Sequence, residues 1–176
     1  FDDALRVNLD GGRCLLETIR HRSPKSRIVF ASSIACFGGE GMELACNDQT
    51  KHTPLTTYGM TKAMLEMLIN DYTRKGFFDG RSARLPTVII RPGRPNAAAS
   101  SWASGMFREP IYGLDHPLPV RWTQPHPMTD YRTVVTSLIL LSELSSDLLG
   151  NDRAVGLPAY RVTPLLAREA LQRVSQ

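Results

Sequence analysis

The sequence predicts an α/β fold built on a doubly wound parallel sheet, and three observations lead there. The runs RIVFASS (27–33) and TVIIRPG (87–93) are continuously apolar at their centres. Strands covered on both faces read that way, whereas half-exposed strands alternate. Segments with helical spacing of apolar residues stand between and after these runs, the order expected of an α/β chain. The size fits: 176 residues, 42% hydrophobic and 22% charged, describe one globular domain or part of one rather than a disordered segment.

The elements follow in order. Asp2 and Asp3 suit the first turn of a helix, and Leu5, Leu9, Leu16 and Ile19 continue it near helical spacing. His21 and Arg22 close that helix, and Ser23-Pro24 stops it. After the strand at 27–33, a loop containing Gly38, Gly39 and Gly41 leads through Pro54 to a second helix at 57–75, with Gly76 past its end. The strand at 87–93 is followed by an irregular stretch and a short amphipathic segment near 107–112. Val134, Val135, Leu138, Ile139 and Leu144 mark a third long helix. Residues 155–158 form a short strand, and Thr163-Pro164 opens a last helix to Val174. The expected division is 1–93 for the sheet domain and 94–176 for a mainly ligand-binding region with returning sheet elements.

Composition excludes several classes. Lys plus Arg total 21 and Asp plus Glu 17, a net +4 with the signs interspersed, which argues against nucleic acid or an anionic membrane as partner. No apolar run approaches the roughly 18–20 residues of a membrane span. Three cysteines (Cys14, Cys36, Cys46) without Cys-x-x-Cys spacing fit neither a disulfide framework nor a zinc site, and point to a reducing cytoplasm. His21, His52, His116 and His126 lack metal-ligand spacing, and His52 and His126 read as polar loop residues.

The chemistry concentrates in TTYGMTKAMLEML, which places Tyr58 and Lys62 one turn apart on a helix face. A phenol titrates near ~10, too high for a base at neutral pH. An ammonium ~5 Å away, at an effective dielectric of ~20, favours the phenolate by ~3 kcal/mol, about 2 pKa units. The pair is then a proton acceptor for near-neutral pH. Ser33 ends the first apolar strand, at the carboxyl edge where open α/β sheets bind ligands. Taken singly, the Tyr–Lys pair also fits a solvated helix face, and Ser33 an ordinary strand-end turn. The combination narrows the choice.

A strand ending in SSIACFGG, 25 positions from Ser33 to Tyr58, and Tyr-x-x-x-Lys opening a helix together resemble the extended short-chain dehydrogenase/reductase family. The resemblance implies a Rossmann-type fold and NAD as cofactor. It implies Ser33, Tyr58 and Lys62 as the catalytic triad, with Tyr58 removing a hydroxyl proton, Ser33 steadying the oxygen and hydride passing to the nicotinamide. Lys62 would also bind the nicotinamide ribose. VNLDGG is similar to the family's Asn-x-x-Gly segment and makes Asn8 a support for Lys62, although a polar helix residue satisfied by a neighbour fits as well. Pro92 and Gly93 resemble the segment lining the nicotinamide, and also suit a plain strand terminator.

KGFFDG, RLPT, RPGRPNAAAS and REPI further resemble the D-erythronate dehydrogenase branch of that family. This implies a sugar-acid substrate, D-erythronate, oxidised at C2 to 2-dehydro-D-erythronate. A carboxylate needs a cation, and Arg108 is the candidate, with Asn96, Ser100 and Ser101 as polar contacts. A surface ion pair and loop-forming residues are the alternative readings of these four. The family's Gly-x-x-Gly-x-x-Gly fingerprint is missing. Leu44 stands where GGEGMEL would need its third glycine, and the acidic residue that selects NAD over NADP is missing with it. The chain therefore reads as lacking the first βαβαβ half and as clipped at its C-terminus. The strand ending at Ser33 would then show an unpaired edge, and the chain alone would bind cofactor poorly and turn over little. A nucleotide-sugar epimerase or dehydratase is the alternative function. A non-catalytic half-domain relic is the second alternative. A homodimer would form through the first helix and the helix from Thr57, the family's usual dimer faces.

Overall fold

The computed structural model describes residues 1–42, 45–93, 98 and 100–174. Its helices are α1 (Asp2–Ala4), α2 (Gly11–Arg22), α3 (Thr57–Arg74), α4 (Ser101–Ile111), α5 (Tyr131–Glu143) and α6 (Pro164–Val174). A π-helical segment, Leu5–Asp10, joins α1 to α2. The strands are β1 (Arg27–Ser33), β2 (Asp79–Leu85), β3 (Thr87–Ile89), β4 (His126–Asp130), β5 (Ala154–Gly156) and β6 (Tyr160–Val162). The chain forms two units. One comprises Phe1–Leu85 with Ser137–Leu157, the other Pro86–Thr136 with Pro158–Gln176.

The first unit is the α/β sheet the sequence predicts. Its strands run in the order β1-β2-β5, all parallel, with Ser32 opposite Arg84 and Ser33 opposite Leu85. Strand periodicity of two sorts the side chains onto two faces. Ile28 and Phe30 meet the core of α2 and α3, where Leu16, Leu65, Ile69 and Phe78 are buried. Val29, Ala83, Leu85 and Val155 meet α5 through Leu138 and Leu141. Helices thus cover both faces. Gly12 lets the two helices on the first face approach, because a Cβ there would lie 2.8 Å from the Leu65 methyls. Among the described residues no strand pairs with the outer edge of β1.

Glu17 on α2 ties these two helices through a hydrogen bond. It accepts hydrogen bonds from Arg20 at 2.5 Å and from the Tyr72 hydroxyl on α3. The Arg20 guanidinium, and then the Tyr72 hydroxyl, hold its carboxyl at about 2, against an ordinary value near 4.5. A depressed folded-state value contributes stability above the unfolded value, lost as pH falls through the folded one. The Glu17→Gln variant should therefore unfold at lower temperature than the wild type at pH 7. That difference should shrink between pH 4.5 and 2 in thermal melts.

The second unit holds a smaller sheet in the order β3-β4-β6, with β3 parallel and β6 antiparallel to β4. Met106, Phe107 and Ala167 form its core with Ile89, Trp102, Val162 and Leu171. Thr163 Oγ1 accepts from the Leu166 N–H at the start of α6, as the Thr-Pro signal predicts.

The structure differs from the sequence reading in four places. The second strand of the main sheet is DGRSARL at 79–85, and the run at 87–93 is only the three-residue β3 of the other sheet. Pro86 separates the two, since it brings no N–H to a ladder. The stretch read as irregular before 107 is already helical from Ser101. His126 lies in β4, with its ring 4.9 Å from that of Trp102, and not in a loop.

Candidate active site

Two local devices set the geometry around β1 and α3. At the end of β1 the Ser33 side chain accepts a hydrogen bond from the Ala35 N–H at 3.1 Å, opening the 3-10 turn Ile34–Cys36. With its oxygen accepting from the backbone, the Ser33 hydroxyl proton is left to donate outward. At the start of α3, Thr56 caps the helix by accepting from the Gly59 N–H at 3.0 Å. Gly59 then packs directly on the turn after Ser33: a Cβ at that position would stand 2.0 Å from the Ala35 carbonyl oxygen. Only glycine permits this approach, and it brings the first turn of α3, with Tyr58, beside the carboxyl end of β1.

Lys62 follows Tyr58 by one turn. Its Nζ donates to the Ala31 carbonyl at 2.7 Å and sits 4.6 Å from the centre of the Phe30 ring and 5.6 Å from that of Tyr58. Burial pushes its pKa down, against the pull of Cys36 and Glu66. Tyr58 itself is 44% exposed at the rim. The positive end of the α3 dipole lies at its turn and favours an anion there. The structure thus brings Tyr58 and Lys62 together and sets both beside the strand end that carries Ser33. Asn8 lies on the π-helical segment packed against α3, with no direct hydrogen bond to Lys62 among the described residues.

An ammonium has three donors, and Ala31 takes one. A half-buried cation with donors to spare beside a phenol can hold a hydroxyl-bearing group such as a ribose. The remaining expected residues belong to the second unit. Pro92 and Gly93 are exposed, with Gly93 at φ +98°. Ser100 Oγ accepts from Arg91 at 3.4 Å, and Ser101 opens α4. Arg108 donates to the Arg91 carbonyl and to Glu109, both at 2.8 Å. Asn96 lies outside the described residues.

One cluster escaped the sequence reading. Glu66, one turn beyond Lys62, is 1% exposed, and so is Arg84 on β2. Arg84 holds the carboxylate with Nη2 at 2.9 Å and Nε at 3.1 Å. Ser32, the neighbour of Ser33, donates to the same carboxylate. Cys36 Sγ lies 3.6 Å from it, and burial, then Glu66, push that thiol's pKa up. His52 closes the group, its Nε2 accepting from Arg84 at 2.8 Å.

D-erythronate dehydrogenase from Cupriavidus necator is 46% identical over 175 residues, covering 99% of this chain and 54% of its own length. D-erythronate dehydrogenase from Haemophilus influenzae is 45% identical over 162 residues, 92% of this chain and 51% of its own length. Among solved structures, the nucleoside-diphosphate-sugar epimerase from Agrobacterium tumefaciens superposes with a TM-score of 0.90 at 42% identity, covering 99% of this chain and 52% of that one. The chain spans about half the length of the curated relatives it matches. Residues 2–109 match the pattern of the NAD dependent epimerase/dehydratase family, and the chain belongs to that family.

Proposed function

We propose that the protein to which this chain belongs oxidises a sugar acid with NAD, taking D-erythronate to 2-dehydro-D-erythronate. The observation that carries the reading is the Tyr58–Lys62 pair seated at the strand end of Ser33, with the ammonium anchored on Ala31. Tyr58 takes the proton of the C2 hydroxyl. Ser33, its oxygen already accepting from Ala35, donates to the substrate oxygen and holds it in place. Lys62 keeps a positive charge beside the phenol and offers its free donors to the ribose. NAD, when bound, supplies the hydride acceptor.

The name shared by the two curated relatives supports the substrate class. Arg108 is the cation proposed for the carboxylate, its guanidinium steadied by Glu109 and the Arg91 carbonyl, with Asn96, Ser100 and Ser101 as polar contacts. Asn8, Pro92 and Gly93 complete the proposed cofactor side. The 176 residues alone, without a Gly-x-x-Gly-x-x-Gly segment, bind NAD weakly under this reading, and calorimetric titration measures that. A homodimer through the helix pair is also proposed, since Val7, Leu15, Met64 and Met67 are exposed apolar residues on those helices. No described helix is long and apolar enough to cross a membrane. The three unpaired cysteines support the proposal of a reducing cytoplasm.

The test is an assay of the full-length protein with D-erythronate and NAD, following the absorbance of the reduced cofactor. Reduction of NAD that depends on D-erythronate is expected. No reduction, alongside conversion of a nucleotide sugar, would replace this reading by the epimerase one.

A further inference from the structure

We propose that Glu66 and Arg84 are positioning residues: their buried ion pair fixes the seat of Lys62 and the end of β1 that carries Ser33. The inference rests on the roles given above to Lys62 and Ser33.

One carboxylate gathers three elements at the carboxyl edge of the sheet. Glu66 comes from α3, one turn from Lys62, and faces the same strands. Ser32 comes from the last two residues of β1. Arg84 comes from β2, directly opposite Ser32 in the parallel register. Cys36 adds the turn that follows Ser33. Rotation of α3 about its axis, or sliding along β1, would break several of these bonds at once. The same motions are the ones that would carry Lys62 Nζ away from the Ala31 carbonyl. Bidentate geometry matters here, because a guanidinium fork fixes direction where an ammonium supplies only charge.

A second ionic cluster gives an internal control. Asp79, at the other end of β2, takes Arg27, Arg81 and Arg153 together with Ser146. It joins the same strands with similar chemistry, five residues from Arg84, or about 17 Å along the strand. If burial of ions served only the stability of the sheet, the two clusters would behave alike.

The experiment uses the full-length protein with Arg84→Lys, which keeps the charge but loses the fork, Ser32→Ala, which removes one link, and Asp79→Asn. Two quantities are read beside the thermal midpoint. One is the split between kcat and KM. The other is the titration of Lys62, followed by NMR of isotope-labelled lysine and assigned by comparison with Lys62→Met. Arg84→Lys should lower kcat about 100-fold, the cost of a displacement near 1 Å, at a KM for D-erythronate within about twofold. Its Lys62 midpoint should rise toward the ordinary lysine value as the ammonium leaves its seat. Ser32→Ala should change both in the same direction by less, and it keeps the test available if Arg84→Lys does not fold. Asp79→Asn should lower the thermal midpoint and leave both quantities unchanged.

Folded Arg84→Lys and Ser32→Ala proteins with wild-type kcat and wild-type Lys62 titration would overturn the proposal, as would an Asp79→Asn protein that shifts both. If D-erythronate is not the substrate, the wild type will not reduce NAD with it. The Lys62 titration still decides the positioning role in that case.

Discussion

Replacing Tyr58 by phenylalanine should lower kcat of the full-length protein about 10²–10⁴-fold, the range for loss of a positioned proton acceptor. Stability should stay within about 0.5 kcal/mol of the wild type. The reason lies in where the ring stands. Tyr58 is 44% exposed, and none of the described residues hydrogen-bonds its hydroxyl, so the phenol oxygen contributes little to folding. The ring's contact with Lys62 survives in phenylalanine. Steady-state kinetics beside chemical denaturation separates the two effects. Retained turnover in Tyr58→Phe would remove this residue from the mechanism.

Gly59→Ala should damage fold and activity together. In an ordinary exposed helix this change gains roughly 1 kcal/mol, because alanine restricts the unfolded chain and favours the helix. Here the new Cβ would lie 2.0 Å from the Ala35 carbonyl oxygen, a backbone atom that cannot swing aside. The first turn of α3 must retreat from the turn after Ser33 by more than 1 Å to reach ordinary contact. Overpacking of that kind costs about 1–3 kcal/mol, which outweighs the helix gain. A retreat of that size also costs about 100-fold in rate, because Tyr58 moves with the turn. Urea denaturation and kcat measured on the same variant check both parts. A Gly59→Ala protein more stable than the wild type would mean that α3 is not held against this turn.

These two residues also show how unevenly the site can be read from the chain. The placement of Ser33 at a strand end, and of Tyr58 and Lys62 one turn apart at a helix start, was legible because the pattern is local in each piece. The first sheet was legible at β1, where RIVFASS is apolar, and at α3, whose cap and stop are written in Thr56 and Gly76. Strand β2 was not. DGRSARL has the composition of a loop, yet its centre is fully buried, because Arg84 meets Glu66 and Arg81 meets the carbonyls of Leu141 and Leu144. Partners 18 and 60 residues away leave no mark in a local window. Glu66 was missed for the same reason: a glutamate one turn past a lysine looks like a solvated helix face until the fold places an arginine against it. The sheet of the second unit escaped because its strands are three to five residues long, too short for a period to declare itself.

Tyr58 is the group proposed to accept the substrate proton, with Ser33 and Lys62 serving it. A crystal structure of the full-length protein with NAD and D-erythronate addresses that most directly. The phenol oxygen of Tyr58 and the hydroxyl of Ser33 should both lie within about 2.6–3.2 Å of the C2 oxygen, with Lys62 on the ribose of the cofactor. A C2 oxygen held by other side chains, with Tyr58 turned to solvent, would contradict it.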